Sequence, residues 1–196
     1  LIFTGDLIHS DRLGEADRSL EIVLDVLALR EQFGPALIYL CGNHELPHLY
    51  GISLAKGDQL FTPQFEAALN QSGRRAEIIN LFDSLPFYLR SRAGVSLTHA
   101  GACAVLTQPA QAHPLFNWSH QAILTRVEAV LPLAERESLR RGYAKLAEVS
   151  YEELARLYLA VSGPDDLRYD DLLKGYVAGL LPQFKEVLWP ALFTRC

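Results

Sequence analysis

The apolar run Ala36–Cys41 stops abruptly at Gly42-Asn43-His44-Glu45. Unbroken apolarity without alternation marks a strand covered on both faces, the pattern of a buried parallel strand. Leu1-Ile2-Phe3-Thr4 reads the same way and ends at Gly5-Asp6. Between the two, Leu20, Val23, Leu24 and Leu27 recur at helical spacing over Ser19–Gln32, and Gly34-Pro35 closes that helix. Strand and helix signals thus alternate, as in an α/β fold.

After Glu45 comes a loop-rich stretch, then a helix over Ala76–Leu85. Phe87–Ser91 and Val95–Thr98 flank Arg92-Ala93-Gly94 and predict a hairpin whose second strand runs into His99-Ala100-Gly101. From Trp118 to Trp189 the chain is rich in Ala, Leu, Glu and Arg and predicts helices, broken at Pro132, Gly163-Pro164 and Pro182. The composition shift near Pro109–Pro114 divides a core, residues 1–108, from a helical insertion or cap, residues 109–196, within one domain. The helical stripes through Tyr143 and Tyr158 read as core.

A net charge of −5, with no block of Lys or Arg able to track a phosphate backbone, speaks against nucleic acid as a partner. No apolar run is long enough to cross a bilayer, which speaks against a membrane partner. Cys41, Cys103 and Cys196 form no CxxC pair, so a reducing, cytoplasmic setting is expected. The chain begins at Leu1 and holds no methionine, which points to a piece of a longer polypeptide.

Three polar clusters therefore follow three strands: Gly5-Asp6, Gly42-Asn43-His44-Glu45 and His99-Ala100-Gly101. Ligand sites in open α/β sheets gather at the carboxyl ends of strands, so distant clusters can converge there. Each cluster carries a glycine next to, or one residue from, its polar residue, which permits close backbone approach. A carboxylate able to bridge two cations, a neutral amide oxygen and an imidazole nitrogen suit Mn, Fe or Zn better than Ca. His44, left free of metal, is then placed to act as a general acid.

Gly42-Asn43-His44-Glu45 resembles the GNHE block of the calcineurin-like metallophosphoesterases, a match that is rare by chance. Gly5-Asp6 resembles the start of that family's GD block, and His99-Ala100-Gly101 its HGG or HAG block. Leu85-Pro86-Phe87 with the hairpin after it, and Leu188-Trp189, are similar to segments of the phosphoprotein-phosphatase branch. The resemblance covers the first hundred residues well. It implies a β-sandwich flanked by helices (α/β/β/α), incomplete at both ends here, with the helical half attached. It also implies two divalent metal ions (Mn, Fe or Zn) with Asp6, Asn43 and His99 among their ligands, and His44 lying over the substrate phosphate. The implied activity is hydrolysis of phosphate monoesters, on a phosphorylated protein or a small phosphorylated metabolite, by water activated between the metals. Alternatives are a phosphodiesterase or dinucleoside polyphosphate hydrolase of the same superfamily, or a non-catalytic binding module.

Two departures stand out. The family's opening Asp-x-His pair and its late Gly-His block have no counterpart here, and on the fragment reading they lie beyond Leu1 and Cys196. The phosphoprotein branch also reads GDxxDRG, its second Asp assisting the general acid and its Arg binding phosphate. This chain reads Gly-Asp-Leu-Ile-His-Ser-Asp-Arg-Leu-Gly over residues 5–14. Either His9 replaces that Asp, or an insertion moves the pair to Asp11 and Arg12. Glu45 is expected to bond backbone or a neighbouring ligand. His48 is expected at the surface or rim, and His113 and His120 in structural or rim positions.

Overall fold

The computed structural model describes residues 1–10, 17–52, 54–56, 59–101, 108–131, 133–159 and 161–192. β1 (Ile2–Phe3) lies parallel to β2 (Ile38–Tyr39), with Ile2 opposite Ile38 and Phe3 opposite Tyr39. Leu1 O and Phe3 O accept from Ile38 N and Leu40 N, each at 2.9 Å. A parallel pair needs a crossover, and α1 (Ser19–Phe33) supplies it, burying Val23 and Val26. The helix ends at Gly34, whose φ of +52° favours glycine, with Pro35 behind it.

Next come α2 (Leu46–Tyr50), the short ribbon β3 (Ala55–Lys56) and β4 (Gln59–Leu60), α3 (Thr62–Ser72) and α4 (Arg75–Asp83). β5 (Tyr88–Arg90) and β6 (Ser96–Thr98) form the expected hairpin, Leu89 opposite Leu97. Cys41 N donates to Pro86 O at 2.9 Å, which ties the approach to this hairpin to the end of β2. Beyond it, α5 (Pro109–Phe116), α6 (His120–Val130), α7 (Arg136–Ala147), α8 (Tyr151–Leu159), α9 (Asp171–Leu180), a π-helical turn at Gln183–Leu188 and α10 (Trp189–Leu192) complete the described chain.

The β-sandwich expectation is overturned. Among the described residues there are three sheets, each of two strands only two or three residues long, and most of the chain is helical. A sandwich needs two broad sheets whose inward side chains alternate along each strand. Here the apolar runs yield two ladder residues each, and helices take up the remaining apolar side chains. α8 packs on α3, and α9 packs on both α2 and α6. One hydrophobic cluster runs from Ile8 through Phe65 and Phe82 to Tyr158, Leu172 and Leu192. The closest approach is at Gly175 of α9, where any Cβ would overlap the carbonyl of Tyr50. No helix among the described residues is long and apolar enough to cross a membrane.

His120 sits inside this core, 2% exposed, with Tyr50 donating to its Nδ1 at 2.7 Å. Burial lowers its pKa from 6.5 to about 4. The folded state therefore binds fewer protons than the unfolded chain between those values. His120 contributes up to about 3 kcal/mol that is fully present above pH 6.5 and lost as pH falls toward 4. Urea unfolding at a series of pH values is expected to show this decline, with a shallower slope in His120→Gln.

Candidate active site

The parallel register sends the chain out of β1 and β2 on the same side, so Gly5-Asp6 and Gly42-Asn43 meet. Glu45 joins them. Its side chain is fully buried and accepts from Asp6 N (3.0 Å), Leu7 N (3.0 Å), Gly42 N (2.8 Å) and the Tyr39 hydroxyl (2.7 Å). Burial and the nearby Asp6 charge push its pKa up, and the donors oppose that rise. The glycines leave no room: a Cβ on Gly42 would collide with Asp6 Oδ1, and one on Gly5 would lie 2.7 Å from His99 Nδ1. Asp6 and His9 adopt positive φ, 55° and 66°. Non-glycine residues hold that conformation only where the surroundings enforce it.

β6 delivers His99 to the same place. Its Nδ1–H donates to Thr4 O at 2.7 Å, leaving Nε2 turned toward Asn43 Oδ1 (3.0 Å) and Asp6 Oδ2 (3.2 Å). Asp6 Oδ1 accepts from His44 N at 2.9 Å, so Oδ2 is the oxygen facing the cluster. Burial pushes the Asp6 pKa up, but the His99 hydrogen bond, the His44 N–H and the two imidazoles together hold it below the usual carboxylate range. Asp6 raises the pKa of His99 in turn, outweighing its partial burial.

With Nδ1 committed as a donor, neutral His99 presents a lone pair to two oxygen acceptors. Three electron-rich atoms converging at 3.0–3.2 Å are satisfied by a proton on Nε2 or by a cation among them. The donor set of one carboxylate, one amide oxygen and one imidazole fits a transition-metal ion. Among the described residues no group of three or more His, Cys, Asp and Glu is spaced as a metal site. The third donor here is instead the Asn43 amide.

His44 stands at the rim of this cluster, its Nε2 3.9 Å from Asp6 Oδ2. Behind it lies a file of side chains that the sequence did not reveal. His44 Nδ1 is 3.1 Å from His9 Nδ1, and His9 Nε2 is 2.9 Å from His48 Nε2. His48 Nδ1 is 2.6 Å from Glu66 Oε1, and Arg75 pairs with Glu66 Oε2. Phe61 stacks on His9 at 5.8 Å between ring centroids, and Phe65 meets both His9 and His48 edge-on. Burial, and next to it the neighbouring imidazoles of His48 and His44, lower the His9 pKa to about 3 and keep that ring neutral.

All three expected metal ligands, Asp6, Asn43 and His99, are thus brought together, with His44 beside them. His9 contacts His44. Asp11 and Arg12, the competing pair, lie outside the described residues. His48 is corrected: it is 4% exposed and not at the rim. It lies on α2, a helix of five residues that is too short for its buried face to be legible in the sequence. Glu66 was missed too, although Thr62, Phe65, Glu66 and Leu69 are spaced as one buried stripe and a lone acid on such a stripe is informative. His120 is structural and His113 is exposed.

Comparison of the chain with family models, with curated proteins and with solved structures returns no match.

Glu45→Ala would strip the acceptor from four donors at once. Unsatisfied buried groups cost about 1–3 kcal/mol each, so a loss of more than about 3 kcal/mol in urea unfolding is expected. Gly42→Ala, which must displace Asp6 and Glu45, is expected to weaken the fold in the same direction.

Proposed function

We propose that this protein is a metal-dependent phosphoesterase acting on phosphate monoesters, on a phosphorylated protein or a small phosphorylated metabolite. The observation that carries the reading is the convergence of Asp6 Oδ2, Asn43 Oδ1 and His99 Nε2, with His44 Nε2 alongside. The resemblance of the three motifs to metallophosphoesterase blocks supports it independently. The β-sandwich of that family is not formed among the described residues, so the fold lends the reading no support.

Asp6, Asn43 and His99 would hold a divalent cation of the Mn, Fe or Zn type. When bound, such an ion supplies Lewis-acid polarisation of a phosphoryl oxygen and acidifies water at neutral pH. The three residues fill only part of one ion's inner shell, and a second ion would draw on further ligands. His99 is oriented by Thr4 O, and Asp6 is held by the His44 and Glu45 contacts, so neither must reorganise when substrate arrives. The cluster is accessible from solvent, Asp6 being 30% exposed and His44 19%. His44 Nε2 is the one polar atom of this file turned toward the cluster, which suits it to protonate the leaving oxygen. Cys41 is a buried free thiol, which agrees with a reducing compartment such as the cytoplasm.

The test is release of p-nitrophenol from p-nitrophenyl phosphate by the full-length protein, with and without Mn. Expected are Mn-stimulated turnover, a loss of about 100-fold or more in Asn43→Ala, and a kcat reduced about 10²–10⁴-fold in His44→Ala. Unchanged rates in both variants would sink the mechanism, and faster cleavage of bis-p-nitrophenyl phosphate would move the substrate class to diesters.

A further inference from the structure

The file His44–His9–His48–Glu66 has a direction. Glu66 offers its carboxylate to two partners, Arg75 at Oε2 and His48 at Oε1. A carboxylate only accepts, so His48 carries its proton on Nδ1 and donates it to Oε1. If His48 is the neutral ring, its Nε2 offers a lone pair, and the hydrogen bond to His9 places the proton on His9 Nε2. His9, buried and neutral, is left with a lone pair on Nδ1, which accepts from His44 Nδ1–H. Every nitrogen of the file is then assigned except His44 Nε2, which lies 3.9 Å from Asp6 Oδ2.

Simple structural duty does not account for this arrangement. Apolar side chains would hold α2 against α3 at least as well as a buried carboxylate and two buried imidazoles. A buried polar file is tolerated only when each member is satisfied, and with His48 neutral satisfaction imposes one order of hydrogens from end to end. His9 also holds its place at a φ of 66°, a conformation that its contacts must enforce. Phe61 and Phe65 wall the rings and restrict their rotation.

We propose that Glu66 and His48 are positioning residues for this site: through His9 they fix the ring orientation and tautomer of His44, so that Nε2 alone faces the Asp6–Asn43–His99 cluster. The catalytic consequence rests on the phosphoesterase reading; the order of hydrogens does not. Neither residue touches substrate. Their effect reaches the reaction only through the imidazole of His44, which keeps its Nδ1 proton in the bond to His9 and delivers to the leaving oxygen a second proton carried on Nε2.

The direct test is 15N NMR of the histidine-labelled, metal-free full-length protein at pH 8. Expected are protons on His48 Nδ1, His9 Nε2 and His44 Nδ1, with nitrogen–nitrogen couplings across both imidazole–imidazole hydrogen bonds. A proton on His9 Nδ1, a doubly protonated His48, or absence of both couplings overturns the proposal. His48→Leu should scramble the His44 tautomer and lower kcat about tenfold or more with KM within about twofold. His48→Gln should restore both, because its amide donates to Glu66 while its oxygen accepts from His9. If His48→Leu does not fold, the wild-type spectrum and His48→Gln decide. An inactive wild-type protein would defeat the phosphoesterase reading and leave the spectrum to judge the file. An active enzyme whose His48→Leu variant keeps the wild-type kcat and His44 tautomer defeats the file alone.

Discussion

The carboxylate of Glu45 is the hinge on which the site turns. Removing a charged group from water costs several kcal/mol, and Glu45 is fully buried. Its two oxygens recover that cost from the Asp6, Leu7 and Gly42 N–H groups and the Tyr39 hydroxyl. Because those donors come from the loop after β1, the loop after β2 and β2 itself, one side chain holds both strand ends in a single geometry. The glycines at positions 5 and 42 follow from this closeness. So does the positive φ of Asp6, whose backbone N–H is held by the Glu45 carboxylate.

From that hinge the structure extends in two directions. Outward, Asp6 receives His44 N on one oxygen and turns the other to His99, whose Nε2 also meets Asn43. Inward, His44 passes through His9 and His48 to Glu66, deep between α2 and α3. The helical half supports the inward side. Tyr158 of α8 bonds Thr62 at the start of α3 at 3.0 Å, and Tyr143 of α7 bonds Gly51 O at the end of α2 at 2.7 Å. α9 presses Gly175 onto Tyr50 O. These helices therefore act on the site by fixing the short elements that carry His48 and Glu66.

Local reading of the chain worked where a single segment carried the signal. The helix over Ser19–Gln32 is seen at Ser19–Phe33, and the strand over Ala36–Cys41 shrinks to Ile38–Tyr39 because Gly34–Ala36 turns as a 3₁₀ segment. The hairpin around Arg92–Gly94 appears as expected. The stretch after Glu45, expected as loop, carries α2 and α3. α2 spans only Leu46–Tyr50 and is held by α4 and α9 beside it, so its own periodicity was too short to register. The sandwich failed for a related reason: motif resemblance speaks to the residues at strand ends, not to how many strands lie side by side.

By itself the sequence determined which residue types follow which strands. Asp6, Asn43-His44-Glu45 and His99 each sit beside a glycine or just beyond an apolar run, and that placement is a local property. Tertiary structure decided the rest. Whether His48 faces solvent or His9, whether Glu66 is an ordinary helix acid or the end of a file, and whether the apolar residues pair as strands or pack as helices all depend on partners distant in the chain. A hydrogen bond such as His48 to His9, made across 39 positions, has no local signature, because what fixes it is the burial that only the packed helices provide.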